Sequence, residues 1–244
     1  MAAKLVVGNW KMNGSVEKNR SLVSALLQDV ATAGAVVCPP YVYLSQVQDL
    51  IAGSQLRLGA QNVSRYGDGA YTGDVSAQML AEFGCRHVIV GHSERRTLFG
   101  EFDADVAQKM VVAVAAGMTP IVCVGESLQQ RQQGDAVAVV LAQLQAAKEL
   151  AGVEVLQASV VAYEPVWAIG TGVAATLQDV AQMHGAIKAA LREWGVGDLP
   201  LLYGGSVKPD GASELMALPG VDGVLVGGAS LVAAQFVAIC RAAM

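Results

Sequence analysis

A single carboxylate, Glu164, stands between the apolar run 160–162 and a proline. Pro165 cannot donate to a strand ladder and disfavours helix at the residue before it, so the run reads as a buried strand that ends at Glu164. The next segment is apolar at Trp167, Ala168 and Ile169 and glycine-hinged at Gly170 and Gly172. That combination suits a lid that closes over a general base and excludes water; a buried connector with a chance glutamate is the plainer alternative. Other chemistry-bearing residues also follow short apolar runs. Gly8-Asn9-Trp10-Lys11 follows the first and Gly91-His92-Ser93-Glu94 the fourth. Tyr203-Gly204-Gly205-Ser206 follows the seventh and Gly227-Gly228 the eighth. His92 precedes a helix start, Ser93-Glu94-Arg95-Arg96, whose backbone N–H groups disfavour a charged imidazole. His87 and His184 are assigned to a strand entry and a helix surface.

The elements that must hold these residues recur along the whole chain. Aliphatic runs at 5–7, 36–38, 56–58, 88–90, 121–124, 160–162, 201–202 and 224–226 are short and rich in β-branched residues, as buried strands are. Between them lie amphipathic helical stripes. Leu22, Leu26 and Val30 share a face, as do Leu44, Val47 and Leu50. Met79, Leu80 and Phe83 follow the N-cap Ser76, and Val106, Met110 and Val114 stop at Gly117. Val137, Val140 and Leu144 form a fifth stripe, and Val180, Met183, Ile187 and Leu191 follow the capping box Thr176/Asp179. Leu215-Met216 and Val232, Phe236 and Ile239 complete the set; their Met and Phe side chains, like those of the other stripes, are expected in the core. Strand and helix alternating eight times predicts an α/β fold, a (β/α)8 barrel of eight parallel strands in a single domain over 1–244. An open doubly wound sheet is the alternative. In a barrel the strands' C-terminal ends share one mouth, so Lys11, His92 and Glu164 meet there beside three glycine-rich turns. Turns after strands seven and eight are a recurring phosphate cradle.

The totals agree. The 244 residues are 53% hydrophobic and 15% charged, with a mean hydropathy of +0.43. This favours inner strands covered on both faces. A net charge of −5 and the lack of a Lys/Arg cluster argue against nucleic acid, so an anionic substrate must be held by local charge and backbone dipoles. Cys38, Cys85, Cys123 and Cys240 are widely spaced and apolar in setting, and are expected as buried free thiols in a reducing cytoplasm. No metal-ligand spacing is visible among them and the three histidines. The N-terminus lacks a signal peptide's apolar region, and the uncharged run 110–125 is broken by Gly117 and Pro120, so no membrane span is expected.

Two motif matches fail on context. Gly170-Thr171-Gly172-Val173-Ala174-Ala175 fits G-x-G-x-x-A but is separated from its strand, and the next strand ends without a ribose-binding acid. Ser15-Val16-Glu17-Lys18 fits S-x-x-K, yet has no S-D-N or K-T-G companion and reads as a helix start.

Gly8-Asn9-Trp10-Lys11-Met12-Asn13, Gly91-His92-Ser93-Glu94-Arg95-Arg96, the stretch 162–172 and Tyr203-Gly204-Gly205-Ser206-Val207 together resemble the triosephosphate isomerase family, in order and over the whole chain. The resemblance implies interconversion of dihydroxyacetone phosphate and glyceraldehyde 3-phosphate without cofactor or metal. It implies Glu164 as the base, neutral His92 as the electrophile at the enediolate oxygens, and Asn9 and Lys11 as stabilisers of negative charge. Glu94 is implied as a helper of Lys11, and backbone N–H groups at Gly170, Ser206, Gly227 and Gly228 as the phosphate site. The glycine-rich stretch 62–74 is too long for an ordinary connection. In the family its counterpart enters a neighbouring subunit, which implies a homodimer with Thr72 near the other chain's Asn9 and Lys11.

Departures from the family pattern are Val173-Ala174-Ala175 where Lys-Thr-Ala is usual, Leu177 where Pro is frequent, and Asp74 in place of Glu. The competing enzyme reading is a Schiff-base aldolase on a similar barrel, with Lys11 as nucleophile. A phosphate-binding barrel without activity is the non-enzyme reading, and the joint presence of Glu164, His92 and Lys11 speaks against it.

Overall fold

The computed structural model describes residues 4–169 and 175–244. In chain order the elements are β1 (Leu5–Asn9), α1 (Val16–Leu26), β2 (Val36–Cys38), α2 (Leu44–Ile51), β3 (Arg57–Ala60), α3 (Ala77–Glu82), β4 (His87–Val90), α4 (Ser93–Phe99) and α5 (Asp103–Ala115). They continue with β5 (Thr119–Val124), α6 (Leu128–Gln132), α7 (Ala136–Ala151), α8 (Val153–Gln157), β6 (Val160–Tyr163), α9 (Leu177–Glu193), β7 (Leu201–Tyr203), α10 (Pro209–Ala217), β8 (Gly223–Val226) and α11 (Ala233–Ala242). The strands pair in sequence order, all parallel, and β1 closes on β8 with Val6 opposite Val224. This is the (β/α)8 barrel, and closure rules out the open sheet.

Period-two alternation along each strand builds two cores. Val7, Val36, Ile89, Ile121, Val160 and Leu225 fill the barrel interior. Val6, Val37, Val88, Val122, Val161 and Val224 face outward to the helices. The same alternation carries function. Val160 and Ala162 point inward, so Glu164 continues their stripe at the mouth. By the same parity Asn9 follows Val7, Gly204 follows Leu202 and Gly227 follows Leu225.

Three expectations need correction. The third strand runs from Arg57 to Ala60, later than the aliphatic run at 56–58, because pairing of Gly59 with His87 draws two weak strand formers into the ladder. A methyl on Gly59 would lie 2.7 Å from Cys38 Sγ, which is why that inward position is empty. His184 is not on a helix surface but fully buried on the inner face of α9, four residues after Val180, with Nδ1 2.9 Å from the Gly220 carbonyl oxygen. Met79 and Phe83 are exposed, since the short α3 turns only Ala77 and Leu80 inward, whereas Met110, Met183, Met216 and Phe236 are core. The four cysteines are buried and unpaired; burial pushes Cys85 and Cys240 up to about 12, which leaves them as inert thiols. No helix among the described residues is long and apolar enough to cross a membrane.

Candidate active site

A cavity of about 370 Å³ opens at the C-terminal ends of the strands. Asn9, Lys11, His92, Glu164, Ser206, Gly227 and Gly228 all line it. Glu94 stands just outside, with Oε1 2.5 Å from Lys11 Nζ. Thr72 is exposed and is not among the cavity's lining residues. Gly170 lies outside the described residues, as do Val173 and Ala174 of the altered hinge. Leu177 occupies the first position of α9, where an amide has no acceptor within the helix, so the absence of Pro there costs little.

Glu164 is 1% exposed. Its Oε2 accepts the Ser93 N–H at 2.8 Å, and its Oε1 lies 3.0 Å from His92 Nε2. Burial alone would push this carboxyl up, but His92, the Ser93 amide and Lys11 outweigh it and hold it below its ordinary range. Gly204 must be glycine beside it: a methyl there would lie 2.9 Å from Glu164 Cγ.

His92 is the N-cap of α4, and its Nδ1 accepts the Glu94 N–H at 3.2 Å. An accepting Nδ1 places the ring proton on Nε2, toward Glu164. Burial pulls the imidazole down, yet the charge and hydrogen bond of Glu164, aided by Glu94, leave it above its ordinary value in this arrangement. The Glu94 amide favours the neutral ring; the main raising partner is Glu164. Arg96 fixes the turn beneath, donating to the carbonyls of Gly91 at 2.8 Å and Cys123 at 3.2 Å.

Lys11 has φ 52°, the one positive value for a non-glycine residue among those described. Such a conformation costs about 1–3 kcal/mol and persists only where neighbours impose it. Here the Lys11 N–H donates to Asn9 Oδ1 at 3.0 Å, and Gln61 Nε2 donates to the Lys11 carbonyl at 2.9 Å. The strained turn swings the lysine stem back over the mouth, where a methyl on Gly227 would lie 3.5 Å from Lys11 Cε. Lys11 Nζ donates to Glu94 Oε1 at 2.5 Å, a contact that presents it as a hydrogen-bond donor at the mouth and lends the Schiff-base reading no support.

Several residues here carry roles that the sequence reading missed. Glu126 is fully buried just past β5, and its Oε1 accepts Tyr163 Oη at 3.0 Å, Trp167 Nε1 at 2.7 Å and Arg131 Nη1 at 3.3 Å. Its position directly after the fifth apolar run is the signal that marks it, the same signal that marks the residues after the first, fourth and sixth. Lys208 lines the cavity as a second cation, and Gln61 has no local motif that marks it. Among the described residues no group of three His, Cys, Asp or Glu side chains is placed to hold a metal ion.

The stretch 62–74 carries contacts of its own. Tyr66 and Tyr71 stack at 4.3 Å between centroids, and Ser64 Oγ donates to Asp74 Oδ2 at 2.6 Å. Beside Lys11 and Glu94 lies a second cavity of about 280 Å³, bordered by Met12, Tyr41, Asn62 and Phe99.

The family model for triosephosphate isomerase matches residues 4–243. The chain is 57% identical to the triosephosphate isomerase of Azoarcus sp., over all of both chains. It is 54% identical to that of Thiobacillus denitrificans, over 100% of this chain and 99% of the relative. With the triosephosphate isomerase of Nitrosococcus oceani it shares 51% identity over the full length of both. Matched end to end by the family model and by relatives at more than half identity, the chain belongs to the triosephosphate isomerase family.

Proposed function

We propose that this isomerase interconverts dihydroxyacetone phosphate and D-glyceraldehyde 3-phosphate by moving one proton between adjacent carbons through an enediolate, with Glu164 as the base. The observation that carries this is the convergence of Glu164, His92 and Lys11 on one cavity, with the first two 3.0 Å apart. Glu164 leaves His92 and Ser93 to take the proton from the carbon beside the carbonyl, then returns it to the neighbouring carbon. His92 donates the Nε2 proton to the oxygen of the original carbonyl, and recovers a proton from the neighbouring hydroxyl as the new carbonyl forms there. As Glu164 turns away, burial and the Glu94 amide leave the imidazole neutral, a weaker acid than imidazolium and better matched to an enediol. Asn9 and Lys11 add donors where negative charge grows, preorganised by the Lys11 turn.

Phosphate sits at Ser206, Gly227 and Gly228. Gly228 opens the turn Gly228–Leu231, whose first amides have no acceptor within the turn. Lys11 and Lys208 supply the cations that a chain of net charge −5 otherwise lacks. Residues 170–174 contribute Gly170 in this reading, by resemblance alone.

The chain works as a homodimer through 62–74, with Thr72 entering its partner's side cavity beside Lys11 and Glu94. Support comes from the exposed face around that cavity, where Met12 is 95% and Phe99 68% exposed. It is a cytoplasmic enzyme, consistent with four buried thiols that form no disulfide. The test is a coupled assay of the purified chain with D-glyceraldehyde 3-phosphate, run beside Glu164→Gln. Turnover by the native chain and its loss in the variant are expected; equal turnover by both would overturn the assignment of the base.

A further inference from the structure

Glu164 enters the cavity on a backbone fastened to the end of β5. Its N–H donates to the Val124 carbonyl at 2.8 Å, and the Val166 N–H donates to the Glu126 carbonyl at 3.1 Å. Gly125 lies between those two acceptors. A methyl on Gly125 would overlap the Glu164 carbonyl oxygen and lie 2.8 Å from the carbonyl carbon, both rigid backbone atoms. The Gly125 backbone therefore packs directly against the Glu164 carbonyl with no room for a side chain between them, and a shift in one is transmitted to the other.

Gly125 is held in turn by one side chain. Gln143, on α7 and 18 residues further along, accepts the Gly125 N–H on Oε1 at 2.9 Å and donates from Nε2 to the Gly125 carbonyl at 3.1 Å. Both polar groups of the glycine peptide are satisfied by both ends of one amide. A longer or shorter side chain, or one with only acceptors, cannot do this. Gln143 does not line the cavity and so does not touch substrate.

From these contacts we propose that Gln143 is a positioning residue for the isomerase reaction. By clamping Gly125 it sets where the Glu164 carboxylate stands relative to the substrate carbon. The proposal rests on the reading of Glu164 as the base. Its expected signature is a loss in chemistry without a loss in binding, because the phosphate residues follow β7 and β8, outside the β5–β6 contact that Gln143 holds. A base displaced by about 1 Å loses on the order of 10²-fold in rate.

Two variants test this. Gln143→Met keeps length and removes both hydrogen bonds. Gln143→Glu keeps the acceptor for the Gly125 N–H but opposes the Gly125 carbonyl with an oxygen, until protonation supplies the missing donor. We expect kcat for Gln143→Met to fall roughly 10–100-fold with KM within about twofold. The deuterium isotope effect, with substrate labelled at the carbon that loses its proton, should rise as proton abstraction becomes limiting. Gln143→Glu should show the same losses at neutral pH and recover, relative to the native enzyme, as pH falls and its carboxyl gains a proton. A kcat that drops only in proportion to unfolded protein, or an unchanged isotope effect, overturns the proposal. Should Gln143→Met fail to fold, Gln143→Glu decides by the same readings. Glu164→Gln is assayed alongside: if it is active, the reading of the base fails. If it is inactive while both Gln143 variants behave as native, only this inference fails.

Discussion

His92 Nε2 stands 3.0 Å from Glu164 Oε1, so the proposed electrophile and the proposed base hold each other. The contact is not the working one, since a base engaged by an imidazole and by the Ser93 amide cannot reach a carbon. It does keep the carboxylate ionised in a place that is 1% exposed, where burial without partners would neutralise it. In the proposed reaction substrate replaces these partners, and the base is then released charged and poorly solvated, facing the carbon acid.

Replacing the base by an isostere tests this most directly. Glu164→Gln retains the shape and cannot accept a proton, so kcat should fall at least ~10²–10⁴-fold with little change in KM. Glu164→Asp should also lose turnover, because shortening withdraws the carboxylate from the carbon. Steady-state kinetics in both directions provide the check; near-native turnover by Gln would remove Glu164 from its role.

The same pair makes a prediction in proton equilibria. His92 sits above its ordinary value because of Glu164, so Glu164→Gln should bring the imidazole down, leaving burial dominant. Imidazole chemical shifts followed against pH report this. The stability consequence has a defined sign. The raised His92 contributes stability fully present below about pH 6.5, lost as pH rises through its folded value. The lowered Glu164 contributes stability present above about pH 4.3, lost as pH falls through its own. Their mutual stabilisation thus spans the interval between the two folded values, and Glu164→Gln should abolish it there. An unmoved His92 titration in the variant would show that Glu164 is not the raising partner.

Buried His184 behaves oppositely. Burial lowers it to about 4, so below pH 6.5 the unfolded chain takes up a proton that the folded chain refuses. Stability is therefore lost as pH falls from about 6.5 toward 4, by on the order of 3 kcal/mol at the acid end. His184→Asn keeps a donor near the Gly220 carbonyl and removes the titration. Its thermal midpoint should fall less steeply with acidification than the native one. Parallel slopes for the two proteins would exclude His184 as a source. His87, also lowered to about 4 by burial, supplies a remaining slope of the same sign.

These residues also show how far one-dimensional reading reaches. Glu164, Asn9 and Gly227 were legible because strand parity and strand ends are local properties, written in runs such as 160–162. His184 was misplaced by reading a lone histidine as polar, although its spacing from Val180 and Ile187 put it on the buried stripe. Met79 and Phe83 followed the right period on a helix too short to bury both. Gln143 and Gln61 carry no motif at all. Their partners, Gly125 and Lys11, are 18 and 50 residues away, and only the packing of α7 on β5 and the side-by-side ends of β1, β2 and β3 bring each amide to its peptide.

The last prediction joins the long loop to the chemistry. Tyr66 and Tyr71 stack on one another at 4.3 Å, and the Ser64–Asp74 bond closes the base of the loop, so its shape does not depend on a partner. Its tip is what the proposed partner would receive, since Thr72 is exposed and the cavity bordered by Met12, Phe99 and Lys11 is open on the same protein. A preformed loop inserting into a preformed cavity loses little conformational entropy on association. In the proposed dimer Lys11 would benefit twice, because its long flexible side chain would gain a wall, and its ion pair with Glu94 would lose solvent that screens it. Replacing residues 66–72 with a short turn should leave the barrel folded, because no residue of that segment belongs to either buried core. The expected product is a monomer by sedimentation, with kcat reduced far more than substrate affinity. A fully active monomer would show that the loop serves association alone, and a variant that remains dimeric would move the interface elsewhere.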